Sequence, residues 1–243
     1  SNSIKIPGLD ETSRAAGSRQ GGVRSYWTAE AGELTASAPK FRVVELILQK
    51  LAILVYATDE LTQDVPALEN FLYKAAVDEM GFAMDDGIIN GTGAGQGFLG
   101  ILNSGALVTV PAETGQASST ILPENLFKMW SRMIGSARQN SVFLINQNIE
   151  SFLYAMSLSV GTGGIPVFMP AGGMSAQPYM TLFGRPVIPC ESCSSIGTVG
   201  DIILASFPDG YAIAEKGGMQ SDMSIHVRYV WDEKVFRYLL RIS

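Results

Sequence analysis

Four groups of residues in this sequence carry side chains or spacings that could do chemistry, and the first is a glycine-rich run. Gly91–Gly97 looks like a loop that cradles a phosphate group. Such a loop follows a strand, opens a helix whose N-terminus faces the phosphate, and carries a lysine. This run instead follows a helical pattern, leads into Phe98–Ile101 and contains no lysine. The sequence therefore predicts a turn that ends a helix.

Carboxylates form the second group, because two clusters of them could act as a hydrolytic pair or as metal ligands. The clusters are Asp59, Glu60 and Asp64, and Asp85 and Asp86. Acid–base hydrolysis needs two carboxyl groups held across a substrate cleft, and nothing in the sequence brings these clusters together. Asp64 is expected to cap the helix that follows it. We predict that these carboxylates are solvated or capping.

His226 is the third candidate, since it is the only histidine and a serine or cysteine hydrolase would have to use it as its base. The sequence contains no Gly-x-Ser-x-Gly motif to present a nucleophile. His226 alternates onto the same face as Ser224 and Arg228. This pattern predicts an exposed histidine on a strand.

Cys190 and Cys193, the fourth group, have the spacing of half a zinc site or of a redox pair. A structural zinc ion needs four ligands, and only His226 remains to help. A redox motif opens a helix after a strand, whereas Ser194–Gly197 has the composition of a loop. We predict loop cysteines without a metal or redox role. Across the four groups, the sequence thus predicts no catalytic, cofactor-binding or metal-binding residue.

Composition limits the class of protein further. The 243 residues are 47% hydrophobic and only 16% charged, which is enough apolar material for a large core and argues against disorder. The best candidate for a membrane span, Val43–Ala57, is interrupted by Glu45, Gln49 and Lys50. We therefore expect subunit contacts to cover the surplus apolar surface. A net charge of -6 argues against a protein that binds nucleic acid through its phosphates.

Hydrophobic periodicity predicts the helices and strands that must position these residues. Residues 4–40 are rich in Gly, Ser and Thr and predict a long loop or hairpin arm. Phe41–Thr58 is apolar on both alternating faces and predicts one long strand that is covered on both sides. A helix of about Val65–Ile89 follows, with Pro66 in its first turn.

The second half alternates shorter helices and strands. Pro123 opens an amphipathic helix that contains Leu126 and Trp130. A terminal hairpin closes the chain, with Phe236, Tyr238, Leu240 and Ile242 on one face. The other predicted elements are a buried strand at Val142–Ile145, a helix at Ile149–Leu158, and the two hairpin strands Ser224–Trp231 and Val235–Ile242.

Five blocks resemble, in order and spacing, the major capsid proteins of tailed bacteriophages of the Hong Kong 97 type. The blocks are Tyr26–Glu30, Asp59–Asp64, Ile88–Gly93, Gly97–Ile101 and Leu182–Val187. The resemblance runs from about Trp27 to the C-terminus. It implies an α+β Hong Kong 97-like capsid fold. That fold would have an extended loop at 4–40, a peripheral domain at 41–120 with a spine helix at about 65–89, an axial α/β domain at 121–218, and a peripheral C-terminal hairpin at 219–243.

The resemblance also implies a function, which is self-assembly. The chain would form hexamers and pentamers of an icosahedral shell around the double-stranded DNA of a tailed phage or prophage. Its partners would be copies of itself, a portal, a scaffold and a maturation protease, with DNA packaged without specific binding and no membrane. It would be made in the bacterial host cytoplasm and end in the virion. The alternatives are an encapsulin-like protein compartment and a nucleotide-dependent enzyme that uses Gly91–Gly97.

The start of the sequence predicts that part of the protein is missing. Ser1–Ser3 carries no methionine and no signal-peptide pattern, as in a cloning remnant followed by a fragment. Family members carry an N-terminal arm that binds neighbouring subunits to one another. Without that arm we expect a monomer or a small oligomer in dilute solution.

Some members of the family crosslink covalently, using a lysine of the extended loop, an asparagine near the C-terminal hairpin and a glutamate. Residues 31–36, where the lysine would fall, contain none, and residues 232–242 contain no asparagine. We therefore predict that particles of the full-length protein dissociate to single chains in hot detergent. A denaturing gel checks this, and a ladder of multimers that survives reductant would contradict it and point to Lys5 or Lys40.

Overall fold

The computed structural model of the protein describes residues 2–9, 19–65, 67–94, 97–160, 163–168 and 180–243. The chain divides into two compact units. The first contains Ser1–Ala52, Ile213–Asp222 and Arg237–Ser243, and the second contains Ile53–Ala212 and Met223–Phe236. The division into axial and peripheral domains stays a prediction.

The described helices and strands form a mixed α+β structure. In chain order they are β1 (Ser3–Leu9), β2 (Phe41–Ile47), β3 (Gln49–Thr58), α1 (Asp59–Asp64), α2 (Leu68–Asn90), α3 (Pro123–Arg132), β4 (Val142–Ile145), α4 (Glu150–Ala155), β5 (Ser157–Val160), β6 (Gly163–Pro166), β7 (Thr181–Leu182), β8 (Arg185–Pro189), β9 (Ile202–Ala205), α5 (Phe207–Gly210), β10 (Gln220–Arg228) and β11 (Glu233–Ile242). No helix in the described residues is long and apolar enough to cross a membrane.

The predicted arm at residues 4–40 begins as one strand of a ribbon. Strand β1 pairs antiparallel with β2, from Ser3 opposite Ile47 to Leu9 opposite Phe41. The loop between them closes where the Lys40 N–H donates to the Gly21 carbonyl at 2.8 Å. Gly21 has φ of +67°, and a Cβ there would lie 2.9 Å from the Lys40 carbonyl oxygen, so this closure needs glycine. Residues 10–18 of the predicted arm lie outside the described residues.

The prediction of one strand over Phe41–Thr58 is wrong at its centre. The strand breaks at Leu48, which is buried and whose N–H donates to the Asn2 carbonyl at 2.9 Å. The break has a topological cause, because β2 pairs with β1 in a two-stranded sheet and β3 belongs to another sheet of order β10-β11-β3. Hydrophobic alternation continues through such a change of partner, so the pattern could not reveal it.

The terminal hairpin is confirmed with shifted ends. Phe236, Tyr238, Leu240 and Ile242 are all buried, as their alternation predicted. The first strand, however, ends at Arg228, three residues earlier than predicted. Tyr229–Trp231 form a single helical turn, and Asp232 follows in the left-handed region at φ of +53°.

The long helix is confirmed as α2, with 23 residues and a length of about 34 Å. The predicted cap at Asp64 is wrong, because Asp64 ends a separate short helix, α1, and Ala67 precedes α2 without a side-chain cap. The Thr58 hydroxyl instead accepts the Leu61 N–H at 3.4 Å and caps α1. Thr58 followed by Asp59 and Glu60 supplies both a cap and acids in the first turn, so a helix starts earlier than predicted. Pro66 lies outside the described residues.

Strand β4 is the centre of a four-stranded sheet of order β7-β8-β4-β9. It runs parallel to β8 and antiparallel to β9. Its two faces enter different apolar clusters, which confirms the buried strand predicted at Val142–Ile145. Phe143 and Ile145 pack with Leu126 of α3 and Leu153 of α4. Leu144 points the other way, into a cluster with Ile89, Cys193 and Ile203.

Two helices cover the first face of this sheet. Helix α3 begins at Pro123, as predicted, and its first turn is closed by the Leu122 N–H, which donates to Asn125 Oδ1 at 2.9 Å. Helix α4 is shorter than the predicted Ile149–Leu158, because buried Met156 ends it and β5 begins at Ser157.

The β7–β8 hairpin explains the block Leu182–Val187. Its two turn residues, Phe183 and Gly184, both lie in the left-handed region, at φ of +52° and +72°. Such turns match the twist of the flanking strands. The Phe183 ring stacks on Trp130 of α3, with ring centres 5.2 Å apart. The block Leu182–Val187 therefore connects the sheet to helix α3.

An ion pair fastens α1 to the hairpin strand β11. Lys234 Nζ contacts Asp59 Oδ1 and also donates to the Thr62 hydroxyl at 3.1 Å. The Asp59 N–H donates to the Asp232 carbonyl at 3.0 Å, so backbone and side chains act at the same place. The hydrogen bond and charge of Lys234 hold the pKa of Asp59 below its ordinary value of 3.8.

We predict that Asp59→Asn lowers the free energy of unfolding at about pH 6 and has a smaller effect at about pH 3. A lowered folded-state pKa stabilises the protein above the ordinary value, and this contribution is lost as the pH falls through the folded pKa. Urea unfolding at the two pH values measures the effect. Asp78→Asn, at an exposed acid of α2, is the control, and equal losses for both variants would contradict the prediction.

Candidate assembly surfaces

The run Gly91–Gly97 turns the chain back on itself after α2. The Gly93 N–H donates to the Phe98 carbonyl at 2.8 Å, and the Gly100 N–H donates to the Gly91 carbonyl at 2.7 Å. A short turn at Ile101–Asn103 follows, rather than a long helix aimed at a ligand. These amide groups are used within the chain and do not converge on an open space, so the geometry is that of the predicted helix-ending turn. Residues 95–96 lie outside the described residues.

Side-chain amides close the C-terminal end of α2. Asn103 Nδ2 donates to the carbonyls of Asn90 and Gly91, at 2.9 and 3.0 Å. Asn90 Nδ2 donates to the Ser192 carbonyl at 2.8 Å and to Asp86 Oδ1 at 2.7 Å. The last carbonyls of a helix lack partners within it, and here Asn103 satisfies two carbonyls at this end. The sequence analysis did not identify either asparagine.

The carboxylates take part in local contacts. Asp59 is bound by Lys234, Asp86 accepts from Asn90, and Glu60 and Asp85 are exposed. Among the described residues, no group of three or more His, Cys, Asp or Glu is arranged to hold a metal ion.

His226 lies exposed on β10, where the alternation placed it. The cysteines occupy the turn after β8 with free thiols, and Cys193 is buried in the cluster around Leu144. Burial, followed by the neighbouring Cys190, raises the pKa of Cys193 to about 12. The buried thiol is protonated and shielded from solvent, so it is a poor metal ligand and does not react directly with a small molecule. Cys193 is therefore a core residue, which the prediction of loop cysteines did not include.

Among the described residues, one group of large apolar side chains left in water is the turn between β10 and β11, which we call the tip surface. It consists of Tyr229, Val230 and Trp231, whose side chains are 76%, 90% and 73% exposed. Three consecutive large apolar residues at this exposure are not explained by contacts within the chain. Surfaces of this kind mark sites where another molecule binds.

Neighbouring contacts hold the tip surface in a fixed conformation. The Arg228 guanidinium lies over the Tyr56 ring, 4.2 Å from its centre, and Arg228 also pairs with Glu233 at 3.0 Å. The Asp232 N–H donates to the Tyr229 carbonyl, which closes the turn. Binding through a turn that is already ordered loses little conformational entropy.

A second apolar surface lies on β10 itself. Met223, Ile225 and Val227 alternate with polar residues and are all exposed. Alternate residues of a strand point to the same side, so the three form one apolar row. Because β10 is an edge strand of its sheet, the row lies where a further chain has access.

Helix α2 carries a third apolar surface. Phe71 and Phe82 are exposed and lie eleven residues apart, which puts them on the same face of a helix. The buried residues Ala76 and Met80 lie about half a turn away. The helix is thus packed on one side and apolar on the other.

The β1–β2 ribbon is a fourth apolar surface. Its exposed apolar residues lie on both of its faces, with Ile4 and Ile6 on one face and Leu9, Phe41, Val43 and Ile47 on the other. An isolated two-stranded ribbon is marginally stable in water and needs a cover for its apolar side chains.

The composition predicted uncovered apolar surface in general, but the tip surface was not predicted. Tyr229–Trp231 combine aromatic and β-branched residues, which favour a strand, and they were included in one. The available signal was their position directly before Asp232–Lys234, where a hairpin has to turn.

Comparisons with known proteins identify relatives of this chain. The model of a family described as the phage capsid family matches residues 6–241. A solved structure described as the capsid of a native GTA particle matches with a TM-score of 0.75 at 18% identity, and covers 100% of this chain and 80% of that one. A structure from Microbacterium phage Oxtober96 matches with a TM-score of 0.60 at 13% identity, covering 100% and 79%. No curated protein matches the sequence.

The two flanks of the glycine-rich turn provide a test of its structural role. A Cβ at Gly100 would lie 2.5 Å from the Gly91 nitrogen and 2.6 Å from the Ile89 carbonyl oxygen, whereas a Cβ at Gly97 would meet nothing within 4 Å. Gly100→Ala should therefore lower the free energy of unfolding by about 3 kcal/mol, and Gly97→Ala by less than about 0.5 kcal/mol. Urea unfolding measures both.

Thermal unfolding with and without ATP tests the nucleotide hypothesis. Millimolar ATP should leave the melting temperature of the unmodified protein unchanged, because a ligand raises it only if it binds the folded state. A melting temperature that rises with ATP concentration would contradict the assignment of this turn as structural.

Proposed function

This chain belongs to the phage capsid family and has the α+β capsid fold, and from this premise we propose how it works. It is the major capsid protein of a tailed phage or prophage, and copies of it assemble into hexamers and pentamers of an icosahedral shell around double-stranded DNA. The observation that carries this proposal is the tip surface, which presents three large apolar residues that the chain itself does not cover. The proposed occupant of that surface is another copy of the chain.

The free energies of burial and association favour many weak contacts between subunits over one strong contact. Burying an exposed large apolar side chain contributes about 1.5 to 3 kcal/mol, so the tip surface can contribute about 4 to 8 kcal/mol. Association costs about 4 to 15 kcal/mol in lost translational and rotational freedom. One such surface therefore gives a weak pair. A subunit that uses several apolar surfaces at once is held by all of them, as a closed shell requires.

The charge distribution supports contact with other copies of the chain. Between residues 139 and 215 the only basic residue is Arg185, with five acids. Depletion of charge is typical of the core of subunit contacts. It also leaves this stretch without the clustered cations that bind DNA phosphates, so DNA would be enclosed without specific binding.

The remaining parts of the proposal follow from the family. Residues 121–218 would form the axial domain around the capsomer axis, with residues 41–120 and 219–243 in the peripheral domain. A portal, a scaffold and a maturation protease would act with the shell, which is made in the bacterial cytoplasm and becomes part of the virion. The chain would have no catalytic activity. The family match favours this function over an encapsulin-like compartment.

Replacing Val230 and Trp231 together by serine tests the tip surface. The double variant should keep the melting temperature within a few degrees, because both side chains are exposed. Removing about 3 to 5 kcal/mol per contact should raise the protein concentration needed for assembly at least tenfold. Sedimentation and electron microscopy of the full-length protein expressed in bacteria measure this.

Val108→Ser is the matched control, since Val108 is an exposed apolar residue outside the four surfaces and outside the charge-poor stretch. It should assemble as the unmodified protein does. Unimpaired assembly of the double variant would contradict the role of the tip surface. Shells that hold protein cargo and exclude DNA when formed in infected cells would favour a compartment instead.

A further inference from the structure

Cys190 and Cys193, the only cysteines of the chain, stand at the two ends of one turn. The Cys190 N–H donates to the Ile145 carbonyl at 2.8 Å, and the Cys193 N–H donates back to the Cys190 carbonyl at 3.3 Å. A turn closed between its first and fourth residues holds their α-carbons within about 7 Å. Disulfides span α-carbon distances of about 4.4 to 6.8 Å. The backbone is thus already shaped for a bond between the two sulfurs.

The two side chains share one apolar environment. Both cysteines pack against the cluster that contains Ile89, Leu144 and Ile203. Cys193 is a member of this cluster, Cys190 packs against it, and both thiols are free. Bond formation therefore requires the sulfurs to approach by a rotation of side chains within a shared apolar environment.

The two thiols differ in access. Cys190 is half-buried, so a small molecule can reach it from solvent, whereas Cys193 is buried. Burial also raises the pKa of Cys193, which keeps it protonated until a partner sulfur is next to it. Cys190 is accordingly the thiol that reacts first, and Cys193 is the one that completes the bond.

We propose that Cys190 and Cys193 form an internal disulfide when the protein meets a small oxidised disulfide such as oxidised glutathione. The Cys190 thiolate attacks one sulfur of glutathione disulfide, forms a mixed disulfide and releases one glutathione thiolate. Cys193 then gives up its proton and attacks the Cys190 sulfur, which releases the second glutathione. Two protein thiols are oxidised to one disulfide, and one glutathione disulfide is reduced to two thiols that take up the two protons.

The disulfide would lie in a turn that accepts hydrogen bonds from two other parts of the chain. The Ser192 carbonyl accepts from Asn90 at the end of α2, and the Cys193 carbonyl accepts from Asn146 Nδ2 at 2.7 Å. Closing the disulfide fixes the turn that receives both contacts. A reducing cytoplasm keeps the thiols free, and an oxidising medium outside the cell closes them. The proposal stands whether or not the chain forms a shell.

The position of Glu191 makes the test direct. The folded, reduced protein is incubated with oxidised glutathione, alkylated in denaturant and digested with a protease that cuts after glutamate. Cleavage of the peptide bond between Glu191 and Ser192 separates the two cysteines unless a disulfide joins them. The expected result is one joined pair of fragments without alkylation, from protein that runs as a single chain on a non-reducing gel.

Single variants assign the order of reaction. Cys193→Ser should stop at one glutathione on Cys190, and Cys190→Ser should stay unmodified because Cys193 is buried. The proposal is overturned if the unmodified protein retains both thiols, accumulates a lasting glutathione adduct or forms covalently linked dimers. Loss of shell assembly with normal disulfide closure would count against the proposed function alone.

Discussion

Burial of strand β4 on both of its faces is the constraint that the larger unit depends on. Phe143 and Ile145 point into the cluster that helices α3 and α4 cover, and Leu144 points into the cluster that contains Ile89. These three residues thus connect the sheet to two helices on one side and to the end of α2 on the other. Truncating any one of the three side chains to alanine would cost about 2 to 5 kcal/mol, a large part of a domain's stability. The apolar surfaces that face solvent are presented from this framework.

The same arrangement determines which apolar residues the chain leaves uncovered. Helix α2 buries Ala76 and Met80 within its own unit and leaves Phe71 and Phe82 uncovered. The hairpin buries Phe236 and leaves Tyr229–Trp231 uncovered. A monomer gains nothing from this distribution, because exposed aromatic residues promote non-specific association. In a shell subunit the inner residues stabilise the fold and the outer ones bind neighbours.

Local sequence predicted those elements that depend on local interactions. Helix α2, the start of α3 and strand β4 follow from periodicity, from Pro123 and from a short apolar run, and each lies close to its predicted position. The break at Leu48 depends on which sheet each half of the strand joins, and the sequence holds no local record of that. The cap at Asp64 was wrong because Thr58 starts a helix earlier.

Contacts between residues far apart in the sequence were the other features that the sequence did not predict. The link from Asn90 to Ser192 joins residues 102 positions apart, and an asparagine at the end of a helix gives no indication of its partner. The exposure of the tip surface was missed because residues suited to a strand are also suited to an interface. Its geometry depends on Arg228, whose stacking on Tyr56 is again a contact between distant parts of the chain.

Apart from the bond from Asn90 to Asp86, the side-chain hydrogen bonds at the end of α2 join uncharged groups. Asn103 bonds two carbonyls, and Asn146 bonds the Cys193 carbonyl, through neutral amides that salt does not screen. Charge pairs at a protein surface weaken as ionic strength rises, but these bonds do not. The hydrogen bonds that link the end of α2 and the sheet to the Cys190–Cys193 turn are therefore expected to change little with ionic strength.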